Sequence, residues 1–380
     1  MLQNEPILNA KRSNSCEYFL CLMMIPEQPA NVCFDVERLK YRNVGLFHFS
    51  LQLGNALIDI ANSDPALKLY FYAPQNSQIL KGGPNYINSK PIHKYIQSFK
   101  VDLNVWHASN QMTDYLPRNK KIAKVLTIHD LNFLREKPKD KQKKYLAKVQ
   151  SNVDQSDEIV CISEYVKQEV MEYIDVRNKP CSVIYNGNNI NPTVSPTAVN
   201  FPLLDLSVPY LFFIGAILPK KNIESLVYLL VKNDFNLVIA GEIFDKTYQK
   251  KILELGKELG VIDRIYFIGA ISEGEKVYLL KNCRYFCFPS KTEGFGLPVV
   301  EAMSFGKDII LSNSTSLPEI GGNVVRYLES FDKDYLIEYG KELCSFQFSK
   351  EMELAVVQRS KMFSWEKAAE AYWKIYKELA

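Results

Sequence analysis

Short apolar runs recur along the chain. Most are followed by a polar loop and then by a longer stretch whose apolar residues return at every third or fourth position. The first pattern is that of a buried strand, the second that of a helix with one face turned to a core. Strands are predicted at Val32–Asp35, Leu67–Ala73, Leu103–His107, Lys124–Ile128, Glu158–Ile162 and Ser182–Tyr185. A helix through Leu46–Ile60 follows the first of them, and others occupy Lys139–Val153 and Glu164–Tyr173. The segment Asn186–Pro202, NGNNINPTVSPTAVNFP, breaks the rhythm with Asn and Pro and reads as a linker. Strands resume at Tyr210–Ile214, Asn236–Ala240, Ile265–Ile268, Tyr285–Phe288, Asp308–Leu311 and Val324–Tyr327, and Ser364–Ala380 ends the chain as an amphipathic helix.

Strand alternating with helix throughout is the pattern of an α/β protein whose parallel sheets are covered by helices. A length of 380 residues exceeds one hydrophobic core and favours two domains. The linker divides them into residues 1–190 and 203–363, with helix 364–380 left over. Residues 1–30 precede the natural start of the fold and read as an extension or an added edge strand. The apolar run Tyr18–Ile25 is far shorter than the ~20 residues a membrane span needs, so neither a transmembrane helix nor a signal peptide is expected and the protein reads as cytoplasmic.

A hydrophobic content of 47% with 23% charged residues argues against a disordered chain or a membrane-embedded bundle. The net charge of +3 is too small for nucleic acid to be the main partner. Its distribution is uneven: between Arg118 and Lys148 eleven bases face only Asp130, Glu136 and Asp140. That run is either a solvated helix face or a peripheral contact with anionic lipid head groups on the inner face of the cytoplasmic membrane. The eight cysteines lie mostly in apolar runs without paired metal spacing, and Cys283 and Cys287 read as core residues, so reduced thiols are expected.

The densest candidate chemistry lies in Phe286–Asn313, FCFPSKTEGFGLPVVEAMSFGKDIILSN, which reads as strand, polar loop, glycine turn, helix and strand. Ligands of open α/β sheets bind at the carboxyl edge of the strands, where this loop opens. Gly294 and Gly296 let the backbone approach a ligand, and Pro298 suits the first turn of a helix whose free N–H groups would face an anion. Glu293 stands just before that helix and Glu301 in its first turn, so both are expected to reach one crevice. FFIGAILPKKN, Phe212–Asn222, is a second strand ending in a turn, with Gly215, Lys220 and Lys221 at its mouth. VLTIHDLNF places His129 at a strand end, VWHASN places His107 at another as the lesser candidate, and Gly45 precedes the first helix.

From Glu293 to Glu301, E-G-F-G-L-P-V-V-E resembles the E-x7-E signature of the retaining GT-B glycosyltransferases of family 4, and LPEIGGN and GAILPKKN are similar to two further segments of that family. The resemblance implies two Rossmann-like, doubly wound domains facing each other across a cleft: an amino-terminal acceptor domain, on which the last helix packs, and a carboxyl-terminal donor domain. It implies transfer of a hexose of the mannose or glucose type from a nucleoside diphosphate sugar to a glycan or lipid-linked acceptor in cell-surface polysaccharide synthesis. No metal and no cofactor beyond the donor is expected.

On the same resemblance Glu293 would hold the sugar, Glu301 the ribose hydroxyls and Lys221 the diphosphate. Gly294, Phe295, Gly296 and Leu297 would line the donor, Ala270 and Ile271 the base, and His129 and Gly45 would approach from the other domain. Ala216 stands where many relatives have Arg, so Lys220 is the candidate second phosphate cation. Asp332-Lys333-Asp334 reads as a helix start rather than a metal site. A non-catalytic nucleotide-sugar-binding partner subunit and a GT-B sugar-nucleotide epimerase are the alternatives; a phosphorylase would show a pyridoxal lysine motif, which this sequence lacks.

Overall fold

The computed structural model describes residues 29–41, 45–97, 99–191, 193–201 and 204–380. The reading of residues 1–30 as an extension or edge strand and the run Tyr18–Ile25 therefore lie almost wholly outside the described residues, which begin just before the first strand. Among the described residues no helix is long and apolar enough to cross a membrane.

Strands β1 (Ala30–Asp35), β2 (Leu67–Ala73), β3 (Asn85–Asn88), β4 (Val105–Ala108), β5 (Ala123–Ile128), β6 (Glu158–Cys161) and β7 (Cys181–Val183) form a parallel sheet in the order β3-β2-β1-β4-β5-β6-β7. β8 (Tyr210–Ile214), β9 (Asn236–Ala240), β10 (Ile265–Gly269), β11 (Tyr285–Phe288), β12 (Ile309–Ser312) and β13 (Arg326–Leu328) form a second, ordered β10-β9-β8-β11-β12-β13. Parallel strands covered on both faces bury every residue, and β4, β9, β11 and β12 do so along their whole length. β3 was invisible to the apolar pattern because NYIN sits half-exposed at the sheet edge, paired with β2 from Tyr70↔Asn85 to Ala73↔Asn88.

Both sheets reverse their winding once, between β1 and β4 and between β8 and β11. Loops leaving those neighbouring strands diverge and open a crevice at the carboxyl edge. In the second sheet these are the loops that carry Lys221 and Glu293.

The helices are α1 (Gly45–Ser63), the single turn α2 (Phe133–Glu136), α3 (Lys139–Gln155), α4 (Glu164–Tyr173), α5 (Glu224–Tyr228), α6 (Lys246–Glu258), α7 (Glu273–Asn282), α8 (Leu297–Ser304), α9 (Leu317–Gly321), α10 (Lys333–Glu342), α11 (Lys350–Ser360) and α12 (Trp365–Leu379). Glu301 therefore lies in the second turn of α8, not the first, because the helix opens at Leu297 behind Gly296 in a left-handed conformation (φ 106°). Asp332 is engaged as the cap of α10, its carboxylate accepting from the Asp334 N–H at 2.9 Å.

α12 leaves the second sheet and lies against α1. Its buried face, Trp365, Ala368, Ala369, Tyr372, Trp373 and Tyr376, joins the same core as Phe34, Phe49 and Leu57. Trp373 Nε1 and the Lys377 ammonium both donate to Asp64 at 3.0 Å. The linker is tied down as well: Trp365 Nε1 donates to Asn189 Oδ1 at 3.0 Å, and a Cβ on Gly187 would stand 2.2 Å from the Trp365 backbone nitrogen.

Candidate active site

At the β8/β11 switch point, the Lys221 ammonium lies 2.5 Å from Glu293 Oε1 and 4.9 Å from the centre of the Phe288 ring. The loop after β8 delivers Lys221 through a single 3-10 turn, Pro219–Lys221, which ends on Asn222 in the left-handed conformation (φ 54°). The loop after β11 delivers Glu293, whose N–H donates to Thr315 Oγ1 at 3.0 Å, while Ser316 donates to the Glu293 carbonyl at 3.0 Å. The side chains of Lys221 and Glu293 are 13% and 14% exposed, so the pair is reachable from the cleft yet largely withdrawn from water. Gly215 lies beneath it, with the Lys221 Cε 3.9 Å from where a Cβ would stand.

Glu301 belongs to a second cluster. Its carboxylate is 3.3 Å from the ammonium of Lys276 on α7, with side-chain exposures of 6% and 7%. Lys276 also pairs with the exposed Glu273 at 2.9 Å. Burial holds the Glu301 carboxyl above its ordinary range, and Lys276 pulls it part of the way back. The residues expected to share the donor are thus divided between two cations, and the second, Lys276, was not foreseen: one lysine early in an exposed-looking helix carries no sequence signal. His48 on α1 feels this cluster from the opposite domain, its imidazole pushed down by burial and then by the charge of Lys276.

The two halves meet at this edge. The Thr292 hydroxyl bonds Asn132, Ser163 donates to the Gly294 carbonyl at 2.9 Å, and a Cβ on Gly294 would lie 2.0 Å from the His129 carbonyl oxygen. Glu319 at α9 reaches across to accept the N–H groups of Glu164 and Tyr165, at 2.7 and 2.9 Å, at the start of α4. Ser163 is the cap of that helix, its side chain accepting from the Val166 N–H.

His129 is 8% exposed; its Nε2 bonds the Ser109 carbonyl at 2.8 Å, and its ring meets Phe49 edge-on at 4.6 Å. Burial lowers its imidazole to about 4, so it is neutral at physiological pH. Asp130 beside it is a half-buried carboxyl raised by desolvation, with Lys220, Glu136 and Glu293 in its field. His107, the lesser candidate, is a core residue: fully buried, stacked on Phe34 and Tyr372, and hydrogen-bonded to Tyr376 and Thr127 at 2.6 and 2.7 Å. Asp35 caps a turn, accepting from the Glu37 N–H at 3.0 Å, and burial lifts its carboxyl to about 7.

Lys220 pairs with Glu136 of α2 at 2.9 Å, across the cleft. The Phe295 side chain is turned inward, 5.6 Å from Phe363 and 6.3 Å from Tyr185, so only its main chain is left for a ligand. Leu297 and Gly296 open α8, and Ala270 and Ile271 follow β10 at the same edge of the sheet. Gly45 opens α1 with nothing within 4 Å of where a Cβ would stand. The basic run is dispersed: Lys124 is buried and donates to the carbonyls of Asn119 and Ile122, Arg135 pairs with Glu169, and Lys148 with Asp114.

Residues 65–191 match the model of Glycosyltransferase Family 4, and residues 197–338 that of the Glycosyl transferases group 1. The O-antigen chain mannosyltransferase B of Escherichia coli is 26% identical over 92% of this chain and 100% of its own length. Among solved structures, the sucrose-phosphate synthase from Thermosynechococcus elongatus superposes with a TM-score of 0.73 at 16% identity, covering 92% of this chain and 99% of that one. Anabaena HepE in complex with UDP-glucose gives a TM-score of 0.66 at 14% identity over 92% of this chain and 99% of its own. At such identities the structural likeness establishes the architecture alone, and that architecture is GT-B. With the Glu293-to-Glu301 segment at the switch point of the second sheet and family models matching both halves, the chain belongs to the family 4 (group 1) glycosyltransferases.

Proposed function

We propose that this protein transfers a hexose, with retention of anomeric configuration and without a metal ion, from a nucleoside diphosphate sugar to a glycan or lipid-linked acceptor. The observation that carries the reading is the Lys221–Glu293 pair at the mouth of the second sheet. A diphosphate arriving there competes with Glu293 for the ammonium. Lys221 then neutralises the charge that grows on the leaving group, and the released carboxylate turns to the sugar hydroxyls. Because the ammonium and the amides opening α8 supply the positive charge, the arrangement calls for no divalent cation.

Glu301, held by Lys276, accepts from the ribose hydroxyls, and the main chain at Ala270 and Ile271 borders the base. The neutral His129 and the residues of the facing domain close over the sugar and exclude water, the competing acceptor. Attack from the face the diphosphate leaves accounts for retention. A mannosyl donor is favoured because the relative matched over its full length is named a mannosyltransferase in O-antigen synthesis.

The full chain should be incubated with a panel of GDP- and UDP-hexoses, with and without acceptor glycans, and released nucleotide measured. Acceptor-stimulated release from one donor, insensitive to EDTA and giving a product of unchanged anomeric configuration by NMR, is the expected result. Tight donor binding without release in any combination would replace the proposal by the nucleotide-sugar-binding subunit.

A further inference from the structure

The linker between the domains begins with a firmly held polar turn. The Asn188 N–H donates to the Phe363 carbonyl at 3.2 Å, the Ile190 N–H donates to Asn188 Oδ1 at 3.0 Å, and Gly187 lies against the Trp365 backbone. Asn189 is thereby fixed between the domains, 8% exposed, with its Oδ1 accepting from Trp365 Nε1 at 3.0 Å. An indole N–H can only donate, so this bond sets the amide one way round. The NH2 end is turned away from Trp365, is buried, and makes no hydrogen bond among the described residues. A buried donor left unpaired costs more than an ordinary hydrogen bond contributes, so its place calls for a partner.

The group beside it is the carboxylate of Glu301. Burial raises that carboxyl, Lys276 lowers it, Glu273 raises it, and the Asn189 side chain lowers it again. The amide is near enough to act on Glu301, although it stops short of a formed hydrogen bond. The carboxylate has room for it. An ionised carboxylate offers about four acceptor sites. The Lys276 ammonium, at 3.3 Å, takes one, and a pair of ribose hydroxyls would take two more. One site remains for the donor that Asn189 brings.

We propose that Asn189 is a positioning residue of the nucleotide site: its amide closes on Glu301 when the ribose is bound and locks the carboxylate in the orientation that accepts the ribose hydroxyls. Lys276 holds Glu301 from α7, within the donor domain, and Asn189 holds it from the linker. Asn189 is itself gripped by Trp365, the first residue of α12, which crosses back to the other domain. Binding of the ribose therefore draws on the same bond that seats α12. The inference deepens the proposed glycosyl transfer and rests on the assignment of the ribose to Glu301; the test below tells failure of the one from failure of the other.

Affinities of the full chain for GDP and UDP, and for their 2′-deoxy counterparts, are measured by calorimetry. Wild type should bind one of the two ribonucleotides more tightly than its 2′-deoxy form. Asn189→Ala should weaken the ribonucleotide about tenfold and the deoxynucleotide much less, so that the preference collapses. Asn189→Asp keeps the shape and the acceptor for Trp365 but sets a second carboxylate beside Glu301, and should lose more. Should Asn189→Ala fail to fold, this isosteric variant reads the same preference. In a Glu301→Ala background, Asn189→Ala should cost little further, because the carboxylate through which it acts is gone. A role confined to seating the linker would weaken both nucleotides alike and would persist in that background. The inference is overturned if either Asn189 variant keeps the wild-type preference, or if the loss is the same with and without Glu301. Wild type that binds neither ribonucleotide overturns the donor reading itself, and this inference with it.

Discussion

The ammonium of Lys276 lies 3.3 Å from the carboxylate of Glu301, both side chains almost out of reach of water. The carboxylate expected to grip the ribose is thus oriented by a partner on a neighbouring helix. Replacing Lys276 by Met leaves a buried carboxylate with no cation, a defect that costs about 3–5 kcal/mol when one partner of such a pair is removed. Glu301 would then sit still higher above its ordinary range. A carboxyl raised on folding contributes stability below its unfolded value and loses it as pH rises through the folded one. The deficit of the Met variant should therefore be largest at neutral and alkaline pH and shrink on acidification, as read by thermal melts across pH, and Lys276→Arg should recover most of it.

Glu293→Ala removes a mostly buried charge-assisted bond without touching a strand. Nucleotide release should fall by roughly 10²–10³, whereas the far-ultraviolet circular dichroism stays that of wild type. Lys221→Ala should weaken binding of the nucleoside diphosphate itself, measured by calorimetry. An unchanged affinity would remove Lys221 from the diphosphate.

A methyl group at position 294 would stand 2.0 Å from the His129 carbonyl, closer than any real Cβ contact. Because the clash is between domains, Gly294→Ala should hold the halves apart rather than unfold either one. Small-angle scattering should report a larger radius of gyration, and turnover should drop by about tenfold or more.

Glu319 offers a milder test of the same contact. Its carboxylate serves two free N–H groups at the start of α4 from the other domain. Glu319→Gln should cost about 1 kcal/mol, the scale of a helix cap, and should increase hydrogen exchange at Glu164 and Tyr165 while leaving the β-strands protected.

Two buried imidazoles give the fold a defined acid sensitivity. Burial holds His107 well below the ordinary imidazole range and His129 at about 4. A group depressed on folding contributes stability above its unfolded value and loses it as pH falls through the folded one. Stability should therefore decline from about pH 6.5 downwards, and NMR titration should show the His129 ring neutral until near pH 4. His107→Phe should flatten that decline and loosen α12, since Tyr376 loses its partner.

Much of the fold is written locally. Strand and helix follow from which side chains must leave water along a stretch of a few residues, so β2, β8, β9 and β11 stand where their apolar runs end. The E-x7-E segment and Lys221 were legible for the same reason, since a strand, a turn and a helix start each carry their own residue chemistry. β3 was not legible, because a polar edge strand is made by its neighbour.

What sequence alone determined is therefore the family, the order of elements and the identity of the acids and lysine at the second sheet's mouth. Only the tertiary structure decided which groups meet. It separated His107, sealed between Phe34 and Tyr372, from His129 at the domain contact, though both end apolar strands. It gave Lys220 to Glu136, Lys276 to Glu301 and Glu319 to the start of α4. The physical reason is that exposure and periodicity are properties of a short segment, whereas an ion pair or a shared helix cap depends on sheet order and on how two domains close. Those bring together residues far apart in the chain, and a charged side chain does not announce which opposite charge will lie across the cleft.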